Sequence, residues 1–162
     1  MSHVLPRRAL LTGGATFVVS DALTFVALLW AAAWFRHQAL EWPGAHPSWA
    51  LLGGLTVLLF GASALLQIGR PAALFGVVLL GLCFVGGEAW EWRELVRHGE
   101  GPSADLRHAS LFVVTGLHAI HVVCGVAYAL RVALARRTSS ILPLYWGALD
   151  LAWVGIVVVV YL

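Results

Sequence analysis

Apolar residues fill this chain in long blocks, and polar residues gather in the short gaps between them. A helix that crosses a membrane needs ~20 mostly apolar residues. Five segments meet that length: 11–35, 49–68, 72–92, 109–134 and 142–162. The gaps carry turn chemistry, namely "EWPGAHP", "GRP", "HGEGPSADLR" and "ARRTSS". The pattern predicts an all-α, polytopic bundle of five transmembrane helices in one membrane domain spanning 1–162. There is no low-complexity tract and no convincing internal repeat. The opening "MSHVLPRRALL" is weakly like a signal peptide, but the apolar run behind it continues past Asp21 to Phe35. That is too long for a signal core, so it is expected to remain as the first helix.

Composition agrees with the pattern. Of 162 residues, 60% are hydrophobic and only 11% charged, with a mean hydropathy of +0.87. A soluble domain carries about 25% charged residues. The net charge of +2 is too small to point to nucleic acid. All ten basic residues are arginine. Arg7, Arg8, Arg70, Arg131, Arg136 and Arg137 fall on the N-terminal side of the membrane. Arg36, Arg93, Arg97 and Arg107 fall on the other, with Glu41, Glu94, Glu100 and Asp105. This bias favours a cytoplasmic N-terminus and a C-terminus outside. Trp49, Trp90, Trp92 and Tyr161 lie near predicted helix ends, where aromatic belts form. Cys83 and Cys124 stand inside apolar runs and read as buried free thiols. Small residues recur along the helices: Gly54 and Gly61, then Gly76, Gly81, Gly86 and Gly87, then Gly116, Ala119 and Gly125. They allow close helix approach in lipid and imply a tight bundle.

Against this background six ionisable residues stand at membrane depth: Asp21, Glu88, Glu91, His118, His121 and Asp150. Each costs roughly 2.5–3.5 kcal/mol there, even on the mild insertion scale. Glu88 and Glu91 are three apart on the third helix, as His118 and His121 are on the fourth, and a short loop makes those helices antiparallel neighbours. Glu91 is therefore expected to meet His118 or His121. Two Glu and two His could also form a transition-metal site. Axial haem ligation is a third reading. It suffers because the two histidines share one helical face, while His3, His37, His46, His98 and His108 all fall in termini or loops. An inter-helix polar network of Glu88, Glu91, His118, His121 and Asp150 is favoured, because buried polar groups in bundles bond across helices. Asp21 is either satisfied locally by Ser20 and Thr24 or is a proton-binding carboxylate. Trp146 and Trp153 lie near the helical face of Asp150 and could donate indole N–H bonds to it.

Four of these stretches, in order, resemble subunit III of the haem–copper respiratory oxidases. "VVSDALTFVALLWAAAW" is similar to the family's helix that opens with Ser and a buried acid, with Asp21 as that acid. "GGEAWEW" resembles G-x-Q-A-Y-E-W/Y; Glu91 matches, and Glu88 replaces the usual Gln. "TGLHAIHVVCG" resembles T-G-F-H-G-L-H-V-x-x-G, matching His118 and His121, with Ala119 in place of a Gly. "YWGALDLAW" resembles Y-W-H-F-V-D-x-x-W; Trp146, Asp150 and Trp153 match, and Gly147 stands where the motif has His. The length is similar to the short five-helix bacterial form, which lacks the first two helices of the seven-helix type.

The resemblance implies a non-catalytic accessory subunit with no cofactor of its own, in the bacterial inner membrane. Haem and copper are then expected in the partner subunits I and II, which reduce oxygen to water and translocate protons. It also implies contact mainly with subunit I, bound phospholipid, and support of proton uptake and lasting activity. Arg36, Arg70 and Arg131, near helix ends, are candidates for lipid head-group phosphate. An accessory subunit of a nitric-oxide reductase is the alternative within the same superfamily. A stand-alone proton or metal transporter is the alternative from another class, disfavoured by the lack of inverted repeats.

Overall fold

The computed structural model describes the backbone of residues 7–39 and 48–162 and the side chains of 12–39 and 48–162. Arg7, Arg8, Glu41, His3 and His46 lie outside those side chains. Five helices follow one another: α1 (Arg7–Gln38), α2 (Trp49–Gln67), α3 (Ala73–Arg97), α4 (Leu106–Leu134) and α5 (Ile141–Ile156). The last turn after α5, Val157–Tyr161, widens into a π-helix. There is no strand among the described residues, and all five helices are long and apolar enough to cross a membrane.

Local chemistry sets the ends. Ser48 caps α2 by accepting from the Leu51 N–H. Asp105 caps α4 by accepting from the His108 N–H at 2.9 Å. Gly69 and Gly99 adopt φ of +67° and +80° at the ends of α2 and α3, a conformation open to glycine because it has no Cβ. Helix α3 runs on past Trp92 to Arg97, beyond its apolar stretch. Its last turn is polar and carries a Glu94–Arg97 pair at 3.1 Å, so only the turn at Gly99 stops it.

Helix α3 packs between α2 and α4. Helix α5 packs on α1, α2 and α4, and α1 on α4 and α5. The α1 and α2 helices, consecutive in sequence, make no direct pairing among the described residues; α5 stands between them. Its two tryptophans, Trp146 and Trp153, are fully buried. Glycine makes room for the first. A Cβ on Gly125 would come within 3.0 Å of the Trp146 ring and 3.1 Å of Tyr145. Gly81, on α3, closes against Val126 and the same indole. Gly54 and Gly86, in contrast, face open space, so part of the small-residue pattern serves no contact inside the bundle.

The outer surface is apolar, with Phe17, Trp30, Val57 and Leu151 largely exposed. Cys83 and Cys124 are exposed too, which corrects the expectation of buried thiols. An apolar run in lipid has two apolar destinations, the core and the surface, and periodicity alone does not separate them. Two belt candidates also move inward: Tyr161 is buried, and Trp92 donates to Thr115 across α3 and α4 at 3.0 Å.

Candidate buried polar site

The polar residues at membrane depth resolve into separate groups around α4 and α5. Asp21 on α1 meets His121 on α4, with Oδ1 2.7 Å from Nε2. Both side chains are mostly buried, 13% and 18% exposed. On its other side His121 has Nδ1 2.7 Å from the Leu117 carbonyl oxygen. A carbonyl only accepts, so Nδ1 carries a hydrogen. The Nε2–Asp21 contact then holds one proton in either of two ways. Imidazolium faces carboxylate, or neutral imidazole accepts from a carboxylic acid. Both forms are neutral overall, and that is what makes the pair tolerable in hydrocarbon. The local alternative for Asp21 is not what forms: Thr24 Oγ1 donates to the Ser20 carbonyl at 3.2 Å, as hydroxyls in apolar helices commonly do.

Glu91 does not meet either histidine. Its Oε2 accepts from the Tyr161 hydroxyl at 2.6 Å. The expected Glu91–His contact is corrected by the end of α5, where the π turn brings Tyr161 inward. Asp150 also finds another partner than expected: Ser63 on α2 donates to its Oδ2. Trp153 Nε1 donates instead to Thr56 Oγ1 at 3.0 Å, and Trp146 Nε1 has no partner among the described residues. Thr56 in turn donates to Leu52 O at 2.9 Å. Thr115 repeats the device, donating to Leu111 O at 2.7 Å while accepting from Trp92. Ser63, Thr56, Thr115 and Tyr161 are the hydrogen-bond partners that sequence reasoning missed. Hydroxyls are cheap in a helix because the i−4 carbonyl can satisfy them, so hydropathy does not mark them.

His118 and Glu88 form the innermost group. Each is fully buried, and neither makes a hydrogen bond among the described residues. The His118 ring is stacked on Trp153 at 5.6 Å. It lies edge-on to Phe84 at 5.6 Å and to Phe25 at 5.8 Å. No three His, Cys, Asp or Glu are grouped to hold a metal ion among the described residues.

Toward the α3–α4 loop the chain becomes polar. Arg107 is buried, with Nη1 3.4 Å from His108 Nε2. His108 Nδ1 is 2.7 Å from Asp105. Partial burial works to raise the Asp105 carboxyl, but bonds from the backbone and side chain of His108 outweigh it and hold it below the usual carboxylate range. Of the three lipid candidates, Arg36 is engaged. Its guanidinium donates to Val159 O at 3.2 Å and Leu162 O at 2.9 Å, closing carbonyls left open at the helix end. Arg70 and Arg131 are exposed.

No family model matches the chain. Curated relatives do, over nearly its whole length. Cytochrome c oxidase subunit 3 of Corynebacterium diphtheriae is 31% identical, covering 97% of this chain and 90% of the relative. The probable cytochrome c oxidase subunit 3 of Mycobacterium tuberculosis is 28% identical over 98% and 91%. The cytochrome bo(3) ubiquinol oxidase subunit 3 of Pseudomonas aeruginosa is 34% identical over a shorter stretch, 58% of this chain and 50% of the relative. With five apolar helices and near full-length likeness to such relatives, the chain belongs to the cytochrome c oxidase subunit 3 family, as a multi-pass membrane subunit of a haem–copper oxidase.

Proposed function

We propose that this chain is the non-catalytic subunit III of a bacterial inner-membrane oxidase that reduces oxygen to water. It packs chiefly beside subunit I, near subunit II, and the haem and copper belong to those chains. The observation that carries the reading is the near full-length likeness to cytochrome c oxidase subunit 3. The same likeness weighs against a nitric-oxide reductase partner and against a stand-alone transporter. Within the complex the bundle retains phospholipid and supports proton uptake. The exposed Arg70 and Arg131 are suited to head-group phosphate. The Asp21–His121 pair, holding one proton in a neutral couple, is the proton-related group. Affinity purification through a tag on this chain from native membranes tests the reading. Subunits I and II should accompany it with a haem spectrum and oxygen reduction. Nitric-oxide reductase activity in the same preparation, or a chain that purifies alone, would overturn it.

A further inference from the structure

Glu88 and His118 are both fully buried, and their four side-chain polar atoms all lack a partner among the described residues. A buried polar group without a hydrogen bond is rare and calls for an explanation. The helix register brings the two together. Gly81 meets Val126 and Trp92 meets Thr115, so α3 and α4 run antiparallel. Between those contacts Glu88 falls level with Ala119, beside His118. They also face the same interior. Glu88 follows Phe84 by one turn on the buried stripe of α3. Phe84 itself packs edge-on against His118 and, at 4.9 Å, against Trp153.

Every other ionisable group facing this interior is already engaged. On α1, Asp21 is paired with His121 of α4. On α3, Glu91 accepts from Tyr161. On α5, Asp150 accepts from Ser63. On α4, Arg107 lies toward the loop, beside His108. Helix α2 contributes no ionisable residue.

We propose that Glu88 and His118 together hold one exchangeable proton inside the bundle, at a site separate from the Asp21–His121 pair. In one form Glu88 is a carboxylic acid and His118 a neutral imidazole. In the other the Glu88 O–H bond has broken and an N–H bond has formed on His118, leaving carboxylate and imidazolium. Net charge is zero in both, so the transfer avoids the cost of a lone charge in hydrocarbon. The indole face of Trp153, on which the imidazole is stacked, attracts the cationic form. No direct hydrogen bond joins the two side chains among the described residues, so the proton passes between them through bridging water. Glu91, one turn further along α3, accepts from Tyr161 of the π turn after α5.

The test is infrared difference spectroscopy in H2O and D2O on the full chain, purified with whatever subunits accompany it. The wild type should give a deuterium-sensitive carboxylic-acid C=O band. That band should be lost in Glu88→Gln, kept in Asp21→Asn, and shifted or lost in His118→Gln. No band, or a band unchanged in His118→Gln, overturns the proposal. If His118→Gln does not accumulate, the near-isosteric Glu88→Gln variant decides by itself, through NMR of 15N-labelled histidine. One histidine should change its protonation pattern between wild type and Glu88→Gln; identical histidine spectra overturn the shared site. These readouts need no oxygen consumption, so they stand apart from the proposed oxidase role.

Discussion

At the scale of single residues, hydropathy named the costly groups and geometry chose their partners. Asp21, Glu91, His121 and Asp150 are all engaged, but only Asp21 and His121 are engaged with each other. Position along each helix was legible in the sequence. Rotation about the helix axis and the partners from non-adjacent helices were not. Tyr161 illustrates why: at a helix end it reads as a belt residue, yet its hydroxyl is the bond of Glu91. Removing that acceptor in Glu91→Ala leaves a buried hydroxyl unsatisfied, about 1–3 kcal/mol. The subunit should be lost from the complex more readily as detergent is raised, and Glu91→Gln should restore retention. For Asp21→Asn a different outcome is expected. An amide N–H can still donate to His121 Nε2, so subunit stoichiometry should be unchanged. The shared proton is gone, so oxygen consumption should decline sooner over repeated turnovers. Unaltered durability at every pH would make Asp21 purely structural.

At the scale of elements, helix existence was readable and the ends less so, since apolar length stopped α3 at a turn that is still helical. Close approach was readable only in part. Gly81 and Gly125 serve Trp146, while Gly86 faces open space. Gly125→Val should therefore push on two rigid rings and cost roughly 1–3 kcal/mol, and Gly86→Ala should leave stability near wild type. Unfolding in mixed micelles followed by tryptophan fluorescence separates the two. The start of α4 should respond to acid. Asp105 is held below its ordinary range in the folded chain. Its contribution is therefore present above the unfolded value of about 3.9 and lost as pH falls through the lower folded value. Hydrogen exchange at the first turn of α4 should accelerate below that range. Asn is an equally good cap, so Asp105→Asn should flatten the acid response without melting the turn.

At the scale of the molecule, the count of five helices and the α3–α4 neighbourhood followed from apolar length and short loops. The central position of α5 did not, because nothing in a loop length tells a terminal helix to insert between α1 and α2. Its two buried tryptophans, meeting Gly125, Thr56 and the His118 ring, are what fix it there. The most direct measurement compares the oxidase purified with and without this chain, following haem content and oxygen consumption over many turnovers. If this chain is the accessory subunit, haem is unchanged and initial turnover is near normal, with activity fading sooner when the chain is missing. Loss of haem on deletion, or identical activity throughout, would contradict it.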